Sequence, residues 1–164
     1  TLWGKTSNFE LDARVPMMIS TPGISPQGKR TASLVELLDL FPTLAELCGL
    51  PRPDGLEGAS LVPVLRDPTK SVKVAAFTQH PRPAYYDRTP SKQPVAMGVS
   101  VRTAKARYTE WRDWKTGEPV ARELYADADE PGETRSLIDE PAAAEMQREA
   151  QGLLRQQFPL VKHP

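Results

Sequence analysis

Three segments toward the end of the chain constrain the fold most: VAMGVSVRT, ARYTEWRD and ARELYAD, separated by short connections. Short strands with short connections favour an antiparallel meander. A turn around Thr116, Gly117, Glu118 and Pro119 divides the last two, and VKVAAFTQH, from Val72, supplies a fourth strand candidate. The chain then ends in a helix: Met146, Ala150, Leu153, Leu154 and Phe158 fall on one face, with Pro141 at its start. Residues 71–164 therefore read as a small α+β unit, one helix on a four-stranded antiparallel sheet.

Residues 1–70 read differently, as a piece of an α/β layer. Val15 to Ile19, in VPMMIS, is a short continuous apolar run followed by TPGISPQGKR. That pattern predicts a buried strand leaving into a surface loop, and a strand apolar on both faces suits a covered sheet. The first 30 residues offer it no neighbour, so sheet partners are expected elsewhere. Downstream, Leu37, Leu38, Phe41, Leu44, Ala45 and Cys48 recur at helical spacing. Pro42 belongs in the first turn of that helix, so its start is expected near Asp39. Gly49 is a natural C′ residue and Pro51 prevents continuation. DGLEGASLVPVLRDPTK reads as loop and short turns.

Composition narrows the function classes. The chain has 164 residues, 39% hydrophobic and 26% charged, with 17 prolines, as expected of a loop-rich globular domain. Its 21 basic and 21 acidic residues balance, which gives no broad basic surface for nucleic acid. No apolar stretch approaches the ~20 residues a membrane helix needs. One cysteine, Cys48, excludes an internal disulfide, and with only His80 and His163 beside it no Cys/His zinc site can form.

A few residues are candidates for chemistry. Lys5, between Trp3 and the polar run Thr6–Ser7–Asn8, has the makings of an anion contact, because an ammonium is a compact charge with three donors. The plain alternative is a solvated lysine. Cys48 begins CGLPRP on the apolar face of a helix end, where partial negative charge disfavours a thiolate, so a core cysteine is expected. Asp127, Asp129 and Glu130 in DADE are a rival metal set, although a solvent-facing strand end explains them as well. His80, Arg82 and Arg88 flank a loop that carries Tyr85 and Tyr86. Arg82 sits between two prolines, where it either meets a carboxylate bidentately or holds the loop through backbone carbonyls.

WGKTSNFELDARVPMMISTPG, DLFPTLAELCGLP, LEGASLVPVL, AFTQHPRP, MGVSVRTAKARYTEW and ELYADADEPGETRSLIDEP, in that order, resemble blocks of the sulfatases. Within that family the resemblance is to the subgroup of iduronate-2-sulfatase and its bacterial relatives, with AFTQHPRP and MGVSVRT…RYTEW the most specific blocks. The resemblance implies a hydrolase of sulfate esters. Its nucleophile would be a formylglycine made from C/S-x-P-S-R, and calcium would polarise the sulfate. It places Lys5 in the family's W-x-K element as a sulfate contact. One such preorganised donor is worth about 2.7–4 kcal/mol of transition-state stabilisation. It also implies that His80, Arg82, Arg88 and Trp3 border a substrate pocket for sulfated uronates, and that the enzyme is periplasmic, secreted or lysosomal.

The departures from the family pattern matter as much. CGLPRP has proline and arginine at +3 and +4, where the family motif has them at +2 and +4. Neither the metal-binding aspartates nor the D-H pair is present. The expectation is therefore the C-terminal part of a sulfatase: residues 1–70 end the catalytic α/β domain, residues 71–164 form the C-terminal subdomain, and the upstream part of the same polypeptide is the partner. No residue here ligates metal, the chain alone is inactive, and residues 1–70 expose apolar surface. Two alternatives stand beside this: a stand-alone, non-catalytic domain that binds a carbohydrate or protein, and a phosphoryl-transfer enzyme of the alkaline phosphatase superfamily.

Overall fold

A computed structural model of the chain describes residues 6–24, 28–84, 93–126 and 132–160. The chain divides into two compact units: Pro16–Ala76, and Thr1–Val15 together with Phe77–Pro164. The opening residues thus belong with the sheet-bearing unit rather than with the helices that follow them in sequence.

The sheet has the expected meander. Strands β1 (Ala75–Arg82), β2 (Ala96–Thr103), β3 (Ala106–Asp113) and β4 (Pro119–Ala126) lie in the order β1-β2-β3-β4. β2 and β4 both run antiparallel to β3, with Val101 opposite Tyr108 and Tyr108 opposite Leu124. Pro119, expected in the turn, opens β4 instead, and Gly117 (φ 73°) makes the turn. A strand's first residue tolerates a proline because the missing N–H breaks no interior ladder bond. Residues 136 and 137 run past the outer edge of β4: the Leu137 N–H donates to the Leu124 carbonyl, and Ser136 Oγ accepts from the Leu124 N–H.

Period-2 alternation gives the sheet two different faces. Val99, Val101, Tyr108, Glu110 and Leu124, all buried, share one of them. The C-terminal helix α4 (Ala144–Gln157) packs there, burying Ala150 and Leu154, with a 3-10 turn at Pro141–Ala143 before it. Phe158 closes the end with an edge-on contact to Phe77 at 5.8 Å. Glu110, fully buried, lies at the centre of this layer. Its Oε1 accepts from Tyr108 Oη (2.9 Å) and Arg155 Nη2 (3.0 Å), and its Oε2 from Arg112 Nη2 (2.9 Å). Arg112 also donates to the Phe158 carbonyl at the helix end, where a cation meets the negative pole. Burial works to raise the Glu110 pKa. The hydrogen bonds from Tyr108 and Arg112 and the Arg155 and Arg112 charges outweigh it and hold the carboxyl below its usual range. Tyr108 is pushed up to about 12 by burial and by the Glu110 charge.

The unit Pro16–Ala76 is built around a buried aspartate. A 3-10 turn, Leu37–Asp39, leads into α2 (Leu40–Leu47), with Pro42 in its first turn as expected. The Asp39 carboxylate accepts from the Glu36 N–H (2.8 Å), the Ala59 N–H (2.8 Å) and Lys73 Nζ (2.7 Å). Thr43 Oγ donates to the Asp39 carbonyl and accepts from the Leu61 N–H, which fixes the start of α3 (Val62–Arg66). This short helix occupies a stretch expected to be only loop and turns. α2 ends in a Schellman motif: Gly49 (φ 65°) donates to the Glu46 carbonyl and Leu50 to that of Ala45.

Two expectations for this unit fail. Val15 to Ile19 form no strand, and Met18 is 93% exposed. A lone strand cannot satisfy its backbone, and among the described residues none pairs with it. Cys48 is exposed rather than in the core. α2 turns Pro42, Thr43 and Ala45 inward, toward the Asp39 hub. The opposite stripe of Leu37, Phe41, Leu44 and Cys48 therefore points to solvent. The expected exposure of apolar surface is present: Met18, Leu37, Leu38, Phe41, Leu44 and Leu50 are all exposed. Among the described residues no helix is long and apolar enough to cross a membrane.

Candidate functional site

The second face of the sheet carries the opening segment. Gly98, Ser100 and Arg102 of β2 lie opposite Trp111, Thr109 and Arg107 of β3, and residues 6–13 lie against this row. The segment first curls on itself. Asp12, in the short helix α1 (Glu10–Ala13), accepts from the Thr6 N–H (2.9 Å) and from Ser7 Oγ (2.6 Å). Asn8, buried, donates from Nδ2 to the Gly98 carbonyl (3.1 Å). A Cβ on Gly98 would come within 2.6 Å of the Trp111 ring and 2.7 Å of Asn8 Nδ2. Only glycine lets both side chains lie over this point of the strand.

Charges fix the rest of the segment. Arg107, 3% exposed, donates from Nη2 to Glu10 Oε2 and from Nε to Glu133 Oε1 (2.7 Å). Arg102 adds a longer contact to Glu10 (3.4 Å). The second oxygen of Glu133 accepts from the Glu10 N–H (2.6 Å), so one carboxylate holds both the helix start and its arginine. Glu133 does so at φ 47°, the left-handed region that costs a non-glycine residue about 1–2 kcal/mol. The two charge-assisted bonds it makes offset that cost. Burial pushes the Glu10 pKa up, but the hydrogen bond and charge of Arg107, with Arg102 and Arg14, leave it lowered. Phe9 stacks edge-on against Tyr125 at 5.7 Å.

Of the substrate-side candidates read from sequence, two are described. Arg82 ends β1, donates from Nη1 to the Thr6 carbonyl (2.6 Å) and lies over the Trp111 ring, 5.0 Å from its centroid. His80 is two residues earlier on the same strand, on the same face. Lys5, Trp3, Arg88, Tyr85 and Tyr86 lie outside the described residues, as do Asp127, Asp129, Glu130 and His163. Sequence reasoning missed Glu10 and Glu133, and it read Asn8 as part of a polar run beside Lys5 rather than as the residue that docks on Gly98. Among the described residues no group of three His, Cys, Asp or Glu side chains is placed to hold a metal ion.

Comparison with known proteins agrees with the fold. Mouse (Mus musculus) iduronate 2-sulfatase is 31% identical over 168 aligned residues, covering 73% of this chain and 30% of the relative. Arylsulfatase K of Rattus norvegicus is 31% identical, covering 77% of this chain and 22% of its own. The chain thus spans about a third or less of the length of these relatives. Among solved structures, a phosphonate monoester hydrolase from Silicibacter pomeroyi superposes with a TM-score of 0.74 at 24% identity, over 98% of this chain and 32% of the other. A 2-O GAG sulfatase matches with a TM-score of 0.56 at 29% identity, over 73% and 24%. The sequence profile of the family described as "N-sulphoglucosamine sulphohydrolase, C-terminal" matches residues 1–158. The chain therefore belongs to that family and carries a sulfatase C-terminal region.

Proposed function

We propose that this chain is the C-terminal part of an enzyme that hydrolyses sulfate esters, acting on sulfated uronates of polysaccharides. One observation carries the reading: the family profile runs through residues 1–158 and so includes the W-x-K element with Lys5. Sequence rather than fold separates sulfate from phosphonate chemistry, since the Silicibacter pomeroyi hydrolase shares the fold at 24% identity.

In this reading Lys5 binds a sulfate oxygen, and its charge grows in value as the leaving oxygen departs. Residues 1–70 close a catalytic α/β domain and residues 71–164 form the C-terminal subdomain. The exposed stripe of α2 and the bare Val15–Ile19 segment support the first assignment, because both are apolar surfaces of the kind that partner elements cover. Formylglycine and calcium would come from the upstream polypeptide. His80, Arg88 and Trp3 stand as substrate-side candidates, while Arg82 has its guanidinium on Thr6 and Trp111.

The test is to express the longest natural polypeptide that contains this chain and assay it on an aryl sulfate and on an aryl phosphonate monoester. Preference for the sulfate is expected, with kcat falling about 10²–10³-fold in Lys5→Ala. The 164-residue chain alone should show no turnover. Preference for the phosphonate, or full activity in Lys5→Ala, would overturn the reading.

A further inference from the structure

We infer that Arg82 is a positioning residue: it holds the backbone beside Lys5 through the Thr6 carbonyl, and does not recognise a substrate carboxylate. This rests on the sulfate-binding role proposed for Lys5.

The geometry makes the case. Thr6 follows Lys5 directly, and the peptide groups on either side of it are both gripped. Its N–H donates to Asp12 and its carbonyl accepts from Arg82 at 2.6 Å. A charge-assisted bond of that length is strong. The guanidinium plane cannot swing freely, because it lies 5.0 Å from the Trp111 centroid and Trp111 is itself tied by Nε1 to Glu123 (2.8 Å). Two residues on, Asn8 is pinned to the Gly98 carbonyl, 90 residues away in sequence. The blocks HPRP and MGVSVRT thus meet the block WGKTSNFE at one place. A lysine that must meet a sulfate oxygen in the transition state needs its backbone held, since a misplacement of about 1 Å can cost about 100-fold in rate.

The experiment uses the full natural polypeptide and an aryl sulfate that carries no carboxylate. Positioning predicts that Arg82→Gln lowers kcat by about 10- to 100-fold, with KM little changed, and that Arg82→Lys, which keeps a donor, restores part of the rate. Amide hydrogen exchange at residues 6–9 should speed up in Arg82→Gln while β2 and β3 stay protected. In Lys5→Ala, adding Arg82→Gln should cause no further loss. A carboxylate-recognition role predicts instead normal kinetics of Arg82→Gln on this substrate and a raised KM only on a uronate. Either that pattern or unchanged exchange at residues 6–9 would overturn the inference. Full activity in Lys5→Ala would refute the Lys5 reading separately, and the exchange result would still decide whether Arg82 holds the segment. If Arg82→Gln does not fold, Arg82→Lys and Asn8→Ala, each of which should also loosen residues 6–9, decide the question.

Discussion

Glu110→Gln is the most informative single change in the sheet unit. The carboxylate is completely buried, and its two oxygens take the charges of Arg112 and Arg155 together with the Tyr108 hydroxyl. Removing one member of a buried ion pair costs about 3–5 kcal/mol, because the remaining charge is stranded. Glutamine keeps the shape and can still accept from Tyr108. Arg155, 36% exposed, can also turn to water. The stranded group is therefore mainly Arg112, and the low end, about 3 kcal/mol, is expected. With a urea m-value of about 2 kcal/mol/M that shifts the midpoint by roughly 1.5 M. Trp111 and Trp114 fluorescence reports the unfolding of this unit. Arg155→Ala should cost about 1 kcal/mol or less, given its exposure. The pH dependence has a definite sign. Glu110 titrates below 4.5 when folded, so its stabilisation is complete above that value and is lost as pH falls through the folded pKa. Glu110→Gln should remove this part of the acid limb. It should also bring the Tyr108 phenol, now at about 12, down toward 10 in an ultraviolet titration, as far as burial allows. A midpoint shift under 0.3 M, or an unchanged acid limb, would refute the clamp.

Three further outcomes are expected. Gly58→Ala places a Cβ 2.2 Å from the Leu38 carbonyl oxygen; backbone cannot yield as a side chain does, so a loss of about 3 kcal/mol is expected in a thermal melt. Asp39→Ala leaves Lys73 with Glu36 as its remaining carboxylate (2.7 Å) and the Glu36 and Ala59 N–H groups without their acceptor, a loss of about 3 kcal/mol measurable by denaturant. Phe41→Ser with Leu44→Ser, both on the exposed stripe of α2, should leave the chain's stability within about 0.5 kcal/mol while reducing binding of a hydrophobic dye; a large loss of stability would show that the stripe is packed.

What the sequence revealed depended on the range of the interactions. The meander was legible because strand alternation and short connections are local properties, and four of four strand segments appear where VKVAAFTQH through ARELYAD placed them. α2 was legible for the same reason, with Pro42 and Gly49 marking its ends. Its orientation was not. Periodicity shows that Leu37, Phe41, Leu44 and Cys48 share a face, but not that the buried Asp39 pulls the opposite face inward. The strand expected at Val15–Ile19 failed because an apolar run can pair only if a neighbour exists. Arg82 was legible as a residue of interest from its place between two prolines. Its partner was not, since Thr6 is 76 residues away and offers only a backbone carbonyl. The grip of Arg107 on Glu10 and Glu133 left no local pattern at all, although SNFE stood in a block singled out for its lysine.

The sheet unit closes around its own beginning. Glu10 meets Arg107 across 97 residues and Glu133 across 123. For a ribosome this fixes an order of events: residues 6–13 emerge before β2, β3 and the loop bearing Glu133, and have none of these partners to dock on until they have been made. Closing a loop of that size costs about 4 kcal/mol of chain entropy, a cost that only the complete set of arginine, glutamate and asparagine contacts outweighs. The residues beside Lys5 therefore leave the ribosome before the strands that hold them, and this site assembles only after β2, β3 and the loop bearing Glu133 are in place.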